Sequence, residues 1–370
     1  MINASEFLTL LAEKGVSFFA GVPDSLLKGL ITAIEKEKKR SHFIAANEGA
    51  ALALAAGYHM ATGRLPVVYL QNSGLGNLVN PLTSLTDKKM YGIPALLIIG
   101  WRGEPGLKDE PQHSVMGTIT PALLNLLHIP FIVLKKGGDR EWRISVTEAV
   151  DACRKENRPV ALLVEADVFS EDEIKMKNSY ELSSEDAIQC LYDSLSPTDI
   201  VVCTTGKIGR VFHKINSSQK KITSYFLNVG SMGHALSLAT GMAMSQNRRV
   251  VLFDGDGALL MHTGALALTA SLRLRNLVYV LLNNGAHQSV GGQSTLGFSV
   301  DFCAIAKGFG VEKTALVENA ENLEIIAESL GTLHFIEVRI NTKTDTVLPR
   351  PEEKPEEAKR IFMKSLNLPA

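Results

Sequence analysis

Short unbroken apolar runs and longer stretches of helical spacing alternate along this chain, and the alternation happens twice. Ser17–Val22, Phe43–Ala46, Pro66–Leu70, Ala95–Gly100, Pro130–Leu134 and Pro159–Val164 are nearly free of polar residues. Such runs predict strands covered on both faces, the condition of a parallel sheet. Helical patterns separate them, as at Asp24–Lys36, Glu48–Thr62 and Trp142–Asn157. After the charged, apolar-poor stretch Phe169–Asp186 the order restarts with Asp199–Cys203, Tyr225–Val229, Val250–Asp254, Leu277–Leu282, Glu312–Val317 and Leu333–Ile340. Strand-helix alternation implies an α/β fold of two doubly wound parallel-sheet domains. The expected division is a first domain over 1–168, a linker over 169–186, a second domain over 187–345 and a tail over 346–370 that ends as an amphipathic helix. No period of solenoid length recurs, so these are two similar domains and not a repeat array.

Composition narrows the function classes. Of 370 residues, 45 % are hydrophobic and 21 % charged, enough apolar material for two cores, and the formal net charge is −1. No basic face argues for nucleic acid as a partner. The start, Met1–Leu8, lacks a basic n-region, and runs such as Ala95–Ile99 are too short for a membrane span. Cys153, Cys190, Cys203 and Cys303 are scattered without metal spacing, which fits reduced thiols in a cytoplasmic protein.

The chemistry gathers where strands end. Val250–Asp254 runs into Gly255-Asp256-Gly257, and Leu277–Leu282 into Asn283-Asn284-Gly285. The twenty-five residues from 258 to 282 suffice for one crossover helix and the next strand, which sets Asp256 beside Asn283 and Asn284 on one sheet edge. Alone, each is a tight turn. Together, a carboxylate, an amide oxygen and glycines that admit close backbone suit a hard divalent cation carrying phosphate oxygens. Thr204-Thr205-Gly206 ends another strand of the same domain, adding Thr205 and Gly206 to that edge. In the first domain two polar segments follow strands, Gln71–Ser84 with Asn72 and Ser73, and Gly100–His113 with Arg102, Lys108, Gln112 and His113. Neither carries a nucleotide-binding fingerprint, and the second is a long loop at the strand end where open α/β sheets keep ligands. Its cations suit an anionic substrate. Asp24, after Pro23, reads as a helix N-cap, and Glu48 as a first-turn acid complementing a helix dipole.

Gly255-Asp256-Gly257 followed at this spacing by Asn283-Asn284 resembles the cofactor signature of thiamine diphosphate enzymes. The resemblance implies that Asp256, the Asn284 side chain and the Ala286 carbonyl hold Mg²⁺ against the diphosphate, with Gly255, Gly257 and Ala258 in the same turn. It implies that Asn47-Glu48-Gly49-Ala50 presents Glu48 to the aminopyrimidine, that Met232 props the cofactor, and that the Gly230 carbonyl receives its amino group. Asp24 becomes a candidate proton-handling group beside His113, and His287 and Gln293 come within reach of the substrate. His234 and His262 are weaker candidates.

Both polar segments of the first domain, with Asn283–Thr295, are similar in order to the phosphonopyruvate decarboxylases, and sulfopyruvate decarboxylases are close relatives. The resemblance spans nearly the whole chain. It implies decarboxylation of 3-phosphonopyruvate to phosphonoacetaldehyde for phosphonate biosynthesis, by at least a homodimer whose active site lies at the subunit interface. The middle domain of larger thiamine decarboxylases has no room in 168–186. Three alternatives stay open: sulfopyruvate decarboxylase, a thiamine-dependent carboligase, and a non-catalytic cofactor-binding subunit.

Overall fold

Every apolar run becomes a strand. The computed structural model describes residues 1–37, 40–137, 139–170, 178–332, 334–343 and 348–368. The chain divides into two compact units, Met1–Lys175 with Val290–Gln293, and Met176–Ser289 with Ser294–Ala370. Among the described residues the first unit holds β1 (Phe18–Gly21), β2 (Ser41–Ile44), β3 (Val67–Gln71), β4 (Leu96–Gly100), β5 (Phe131–Leu134) and β6 (Val160–Val164). They form one parallel sheet in the order β2-β1-β3-β4-β6-β5. The second holds β7 (Ile200–Cys203), β8 (Ser224–Leu227), β9 (Val250–Gly255), β10 (Leu277–Asn283), β11 (Thr314–Val317) and β12 (Phe335–Arg339). Their order is β11-β12-β10-β9-β7-β8, again parallel throughout.

The runs are unbroken because each sheet is buried twice. In the first unit Val67, Tyr69, Leu96, Ile98 and Leu162 face one core, while Val68, Leu70, Leu97, Ile99 and Leu163 face another. In the second, Val201, Val251, Phe253, Val280 and Ile336 alternate with Val202, Val250, Leu252, Leu281 and Phe335. A period of two places neighbours on opposite faces, so these strands admit an acid only where a partner meets it: Asp254 accepts from the Tyr279 hydroxyl (3.0 Å) and Glu337 from the Asn283 amide (2.8 Å). Each such Val, Leu or Phe contributes about 1.5–3 kcal/mol by burial.

Glu48–Thr62 is a helix over the span expected. Asn47 caps it by accepting from the Ala50 N–H (2.9 Å), and Gly63 closes it in the left-handed region. The helix after β1 starts only at Lys28, and Asp24 caps no helix. The N-cap expectation is therefore corrected: Pro23 and Asp24 belong to a buried turn, in which Asp24 accepts from the Leu26 N–H (3.1 Å).

Within the stretch 169–186, residues 171–177 lie outside the described residues. Phe169 packs edge-on against Phe7 and belongs to the first core, Leu182 belongs to the second, and a capping box of Ser183 and Asp186 starts helix Ser184–Asp193. In the tail, where 346, 347, 369 and 370 are outside the description, helix Pro355–Ser365 lies on β8. Phe362 meets Phe226 at 5.7 Å, and the Ser224 hydroxyl donates to the Ser365 carbonyl (3.3 Å). No helix among the described residues is long and apolar enough to cross a membrane.

Candidate active site

In the second unit, parallel strands deliver their carboxyl ends to one edge, and the sequence places small or polar residues there. β9 and β10 are neighbours with Leu281 opposite Asp254 and Leu282 opposite Gly255. Asp256 and Asn284 follow directly. The Asp256 carboxylate is buried, accepts from the Thr295 hydroxyl, and is reached by the backbone N–H groups of Asn284 and Gly257. Burial pushes its pKa up to about 6, and these hydrogen bonds pull the other way. The Asn284 side-chain oxygen accepts from the Ala286 N–H (2.9 Å), which folds the turn over the carboxylate. The Asp256 carboxylate after β9 and the Asn284 amide oxygen after β10 are hard oxygen donors at neighbouring strand ends, which fits a hard divalent cation and not a thiophilic one. Among the described residues no cluster of three or more His, Cys, Asp and Glu offers a different metal centre.

The neighbouring loops close in on that turn. A Cβ on Gly257 would stand 3.0 Å from the His287 ring and 3.4 Å from the Met232 methyl, so a residue with a side chain would part them. Gly206 has φ +98° and lies against the Ser289 hydroxyl, and the Thr205 hydroxyl donates to the Val229 carbonyl (2.8 Å) beside Gly230. The Ala258 carbonyl faces Gly233 at the start of helix Ala235–Ser245. Thr205, Gly206, Gly230, Met232, Gly255, Gly257, Ala258, Asn284, Ala286 and His287 are thus gathered on the strand ends of one sheet. Burial lowers the His287 pKa to about 4, so its imidazole is neutral, with one ring nitrogen to donate and one to accept. His234 and His262 pair at 4.6 Å on the far side of Gly233, next to the Met232 loop.

In the first unit Glu48 opens its helix and is only 4 % exposed. One oxygen accepts from the Asn77 amide (2.6 Å) and the other lies against Gly74. Burial raises its pKa and the Asn77 bond lowers it. A first-turn acid serving a dipole would face water. This one is enclosed.

Asp24 is fully buried, raised to about 7 by burial against the opposing pull of Arg102, and pressed on Gly100 at the end of β4. One of its oxygens has no hydrogen-bond partner. Arg102 is turned to a carboxylate of its own loop: Nε donates to Asp109 (2.8 Å), Nη2 to the other Asp109 oxygen, and Nη1 to the Ser25 hydroxyl (2.6 Å). Three of the five guanidinium N–H groups are used, which leaves two for an anion. Asn72 is fully buried and binds the Arg102 backbone at both ends of its amide, and the Thr120 hydroxyl as well. It holds the loop. Ser73 is exposed and paired with Gln71 (2.5 Å). Lys108 is exposed on the rim of a cavity of about 310 Å³ that Ser25, Trp101, Arg102 and Asp109 line. Gln112 is half-buried. His113 is buried at the loop's far end, its Nδ1 without a partner and its pKa lowered by burial and by Arg102.

Asn77, Asp109 and Thr295 were not expected as site residues. Asn77 and Thr295 lie inside segments already singled out, and Asp109 shares the loop of Arg102, but nothing in the linear order says which neighbour each will meet.

Both units match families of known proteins. The thiamine pyrophosphate enzyme N-terminal TPP binding domain matches residues 3–123, and the C-terminal TPP binding domain matches residues 203–338. A phosphonopyruvate decarboxylase of Streptomyces hygroscopicus is 34 % identical, over 98 % of this chain and 93 % of its own. One of Streptomyces viridochromogenes is 32 % identical over 100 % and 96 %. A sulfopyruvate decarboxylase of Methanosarcina acetivorans is 25 % identical over 100 % and 99 %.

Proposed function

This chain belongs to the thiamine diphosphate-dependent decarboxylases, and from that premise we propose that it converts 3-phosphonopyruvate and a proton to phosphonoacetaldehyde and CO₂, with Mg²⁺, as a step of phosphonate biosynthesis. The observation that supports this choice of substrate is full-length similarity to two phosphonopyruvate decarboxylases, above that to the sulfopyruvate enzyme. The cofactor supplies the electron sink that lets the carboxylate of a 2-oxo acid leave as CO₂. The protein supplies geometry and protons.

Asp256, the Asn284 amide and the Ala286 carbonyl would hold the cation, with Thr205, Gly206, Gly230, Gly255, Gly257 and Ala258 beside the diphosphate. Met232 would support the rings. Glu48, kept from water, would hold a proton at the pyrimidine nitrogen. Asp24, poised near neutrality, and His113 would handle the proton that replaces CO₂. A positioned acid contributes on the order of 10²–10⁴-fold. Arg102 would meet the phosphonate with its two remaining N–H groups, joined by Lys108, Gln112 and Ser73 and, after the metal turn, by His287. Asn72 would act through the loop it braces. The reading carries with it a homo-oligomer, at least a dimer, with the active site shared between copies. Sedimentation velocity tests that.

The activity test is direct. Purified chain with Mg²⁺ and thiamine diphosphate should release CO₂ from phosphonopyruvate at a higher kcat/KM than from sulfopyruvate or pyruvate. Preference for sulfopyruvate would transfer the assignment to that substrate, and a condensation product with added aldehyde in place of CO₂-linked aldehyde would make the chain a carboligase.

A further inference from the structure

The turn that carries Asn284 is held from behind by a segment distant in sequence. The Asn178 amide donates to the Asn284 carbonyl (3.2 Å) and to the Ile340 carbonyl (3.1 Å), which lies one residue beyond β12. It thereby ties the end of β10 to the end of β12. Its own oxygen accepts from the Tyr180 N–H (3.2 Å). Tyr180 adds a second hold: its ring lies 5.0 Å from that of Phe298, and Phe298 fills the space beside Gly285, where φ is +66°. Further bonds fasten the segment to Arg339, the last residue of β12, and to Asn341 just beyond it. Arg339 donates to the Tyr180 hydroxyl (3.1 Å), the Asn341 side chain to the carbonyls of Tyr180 (3.1 Å) and Glu181 (3.0 Å), and the Asn341 N–H to the Leu182 carbonyl (2.7 Å).

From these contacts we infer that Asn178 is a positioning residue for the cation site, and that ordering of residues 178–182 is coupled to loading of the cofactor. The inference rests on the reading of Asp256 and Asn284 as the cation end. Asn178 grips the carbonyl of the peptide joining Asn284 to Gly285. That peptide fixes both the aim of the Asn284 amide and the direction in which the chain presents the Ala286 carbonyl. With the grip removed, the turn keeps its sequence and its ligand atoms but samples more orientations, and the cation must select among them. Groups that orient a metal's ligands cost about 10–100-fold in affinity when removed. Coupling is reciprocal, so a bound cation and diphosphate must in turn steady residues 178–182.

Titration calorimetry with thiamine diphosphate and Mg²⁺ on wild type, Asn178→Ala and Asp256→Ala tests the proposal. Asn178→Ala should bind about 10–100-fold more weakly, Asp256→Ala should lose Mg²⁺-dependent binding, and all three should melt cooperatively without ligand. Wild-type affinity in Asn178→Ala, with binding lost in Asp256→Ala, overturns the role of Asn178 alone. Wild-type affinity in Asp256→Ala overturns the reading of the turn beneath it. Amide hydrogen exchange on the wild-type chain gives a reading that no variant's folding can obscure. Cofactor with Mg²⁺ should slow exchange at Tyr180 and Asn341, and unchanged exchange at both would overturn the coupling.

Discussion

A single methyl group placed on Gly74 should move the Glu48 carboxylate while leaving its chemistry intact. The Cβ of Gly74→Ala would stand 2.1 Å from one Glu48 oxygen and 2.7 Å from its Cγ, where ordinary contact begins at 3.4 Å. The difference of 3.4 and 2.1 requires a shift of about 1.3 Å at the carboxylate. The obstructing atoms are the far end of a flexible side chain, so the side chain yields before the backbone does. Alanine also suits the backbone there, with φ −78° and ψ −5°, and gains about 0.4–1 kcal/mol through the unfolded chain. Overpacking costs about 1–3 kcal/mol, so the net loss of stability is about 0–2.6 kcal/mol. A catalytic group displaced by about 1 Å loses on the order of 100-fold in rate. Exchange of the cofactor C2 proton, followed by proton NMR after acid quench, should therefore slow by about that factor, while thermal melting moves little. Glu48→Gln is the complement: it keeps the position and the contact with Asn77 but removes the ionisable group, and it should slow the same exchange. If Gly74→Ala binds cofactor and exchanges C2 at the wild-type rate, Glu48 serves its helix and not the cofactor.

Two further outcomes test the first unit. Burial holds the Asp24 pKa at about 7 against an ordinary 3.8, so the folded chain binds that proton more tightly than the unfolded one. Its contribution to stability is complete below about pH 4 and is lost as pH rises through 7; Asp24→Asn should accordingly melt above wild type at pH 8, with the gap closing toward pH 4, and a constant gap across that range would show that Asp24 is not buried as a neutral acid. Arg102→Lys replaces a planar fork by a point charge and should lower kcat/KM for phosphonopyruvate by about 1.5–3 kcal/mol with little effect on pyruvate; equal losses on both substrates would make Arg102 a brace for its loop, as its bonds to Asp109 already allow.

The strands were legible because burial on both faces keeps most central positions apolar, as in Leu277–Leu282, which is buried throughout. Helix Glu48–Thr62 was legible for a different reason, since Asn47 and Gly63 mark its ends with capping residues. The candidate site could be located because ligand loops follow strand ends. Its inner partnerships could not. Asn178 meets Asn284 from 106 residues away, and Asn77 meets Glu48 from 29, distances over which no local pattern operates. Asp24 shows a local pattern overruled. An aspartate after proline suits an N-cap, yet the helix starts four residues later at Lys28 and the Asp24 carboxylate packs on Gly100.

Helix Pro355–Ser365 on β8 has a consequence for synthesis. The first sheet is complete in sequence with β6 and its core with Phe169, which can form while translation continues. The second sheet begins with β7, but Phe362 and Leu366 belong to the core on one of its faces. Until they emerge, that face of Phe226 stays wet and β8 remains an edge without its cover. A nascent chain stalled before residue 355 would therefore carry one folded domain and one adhesive sheet, the species on which chaperones act.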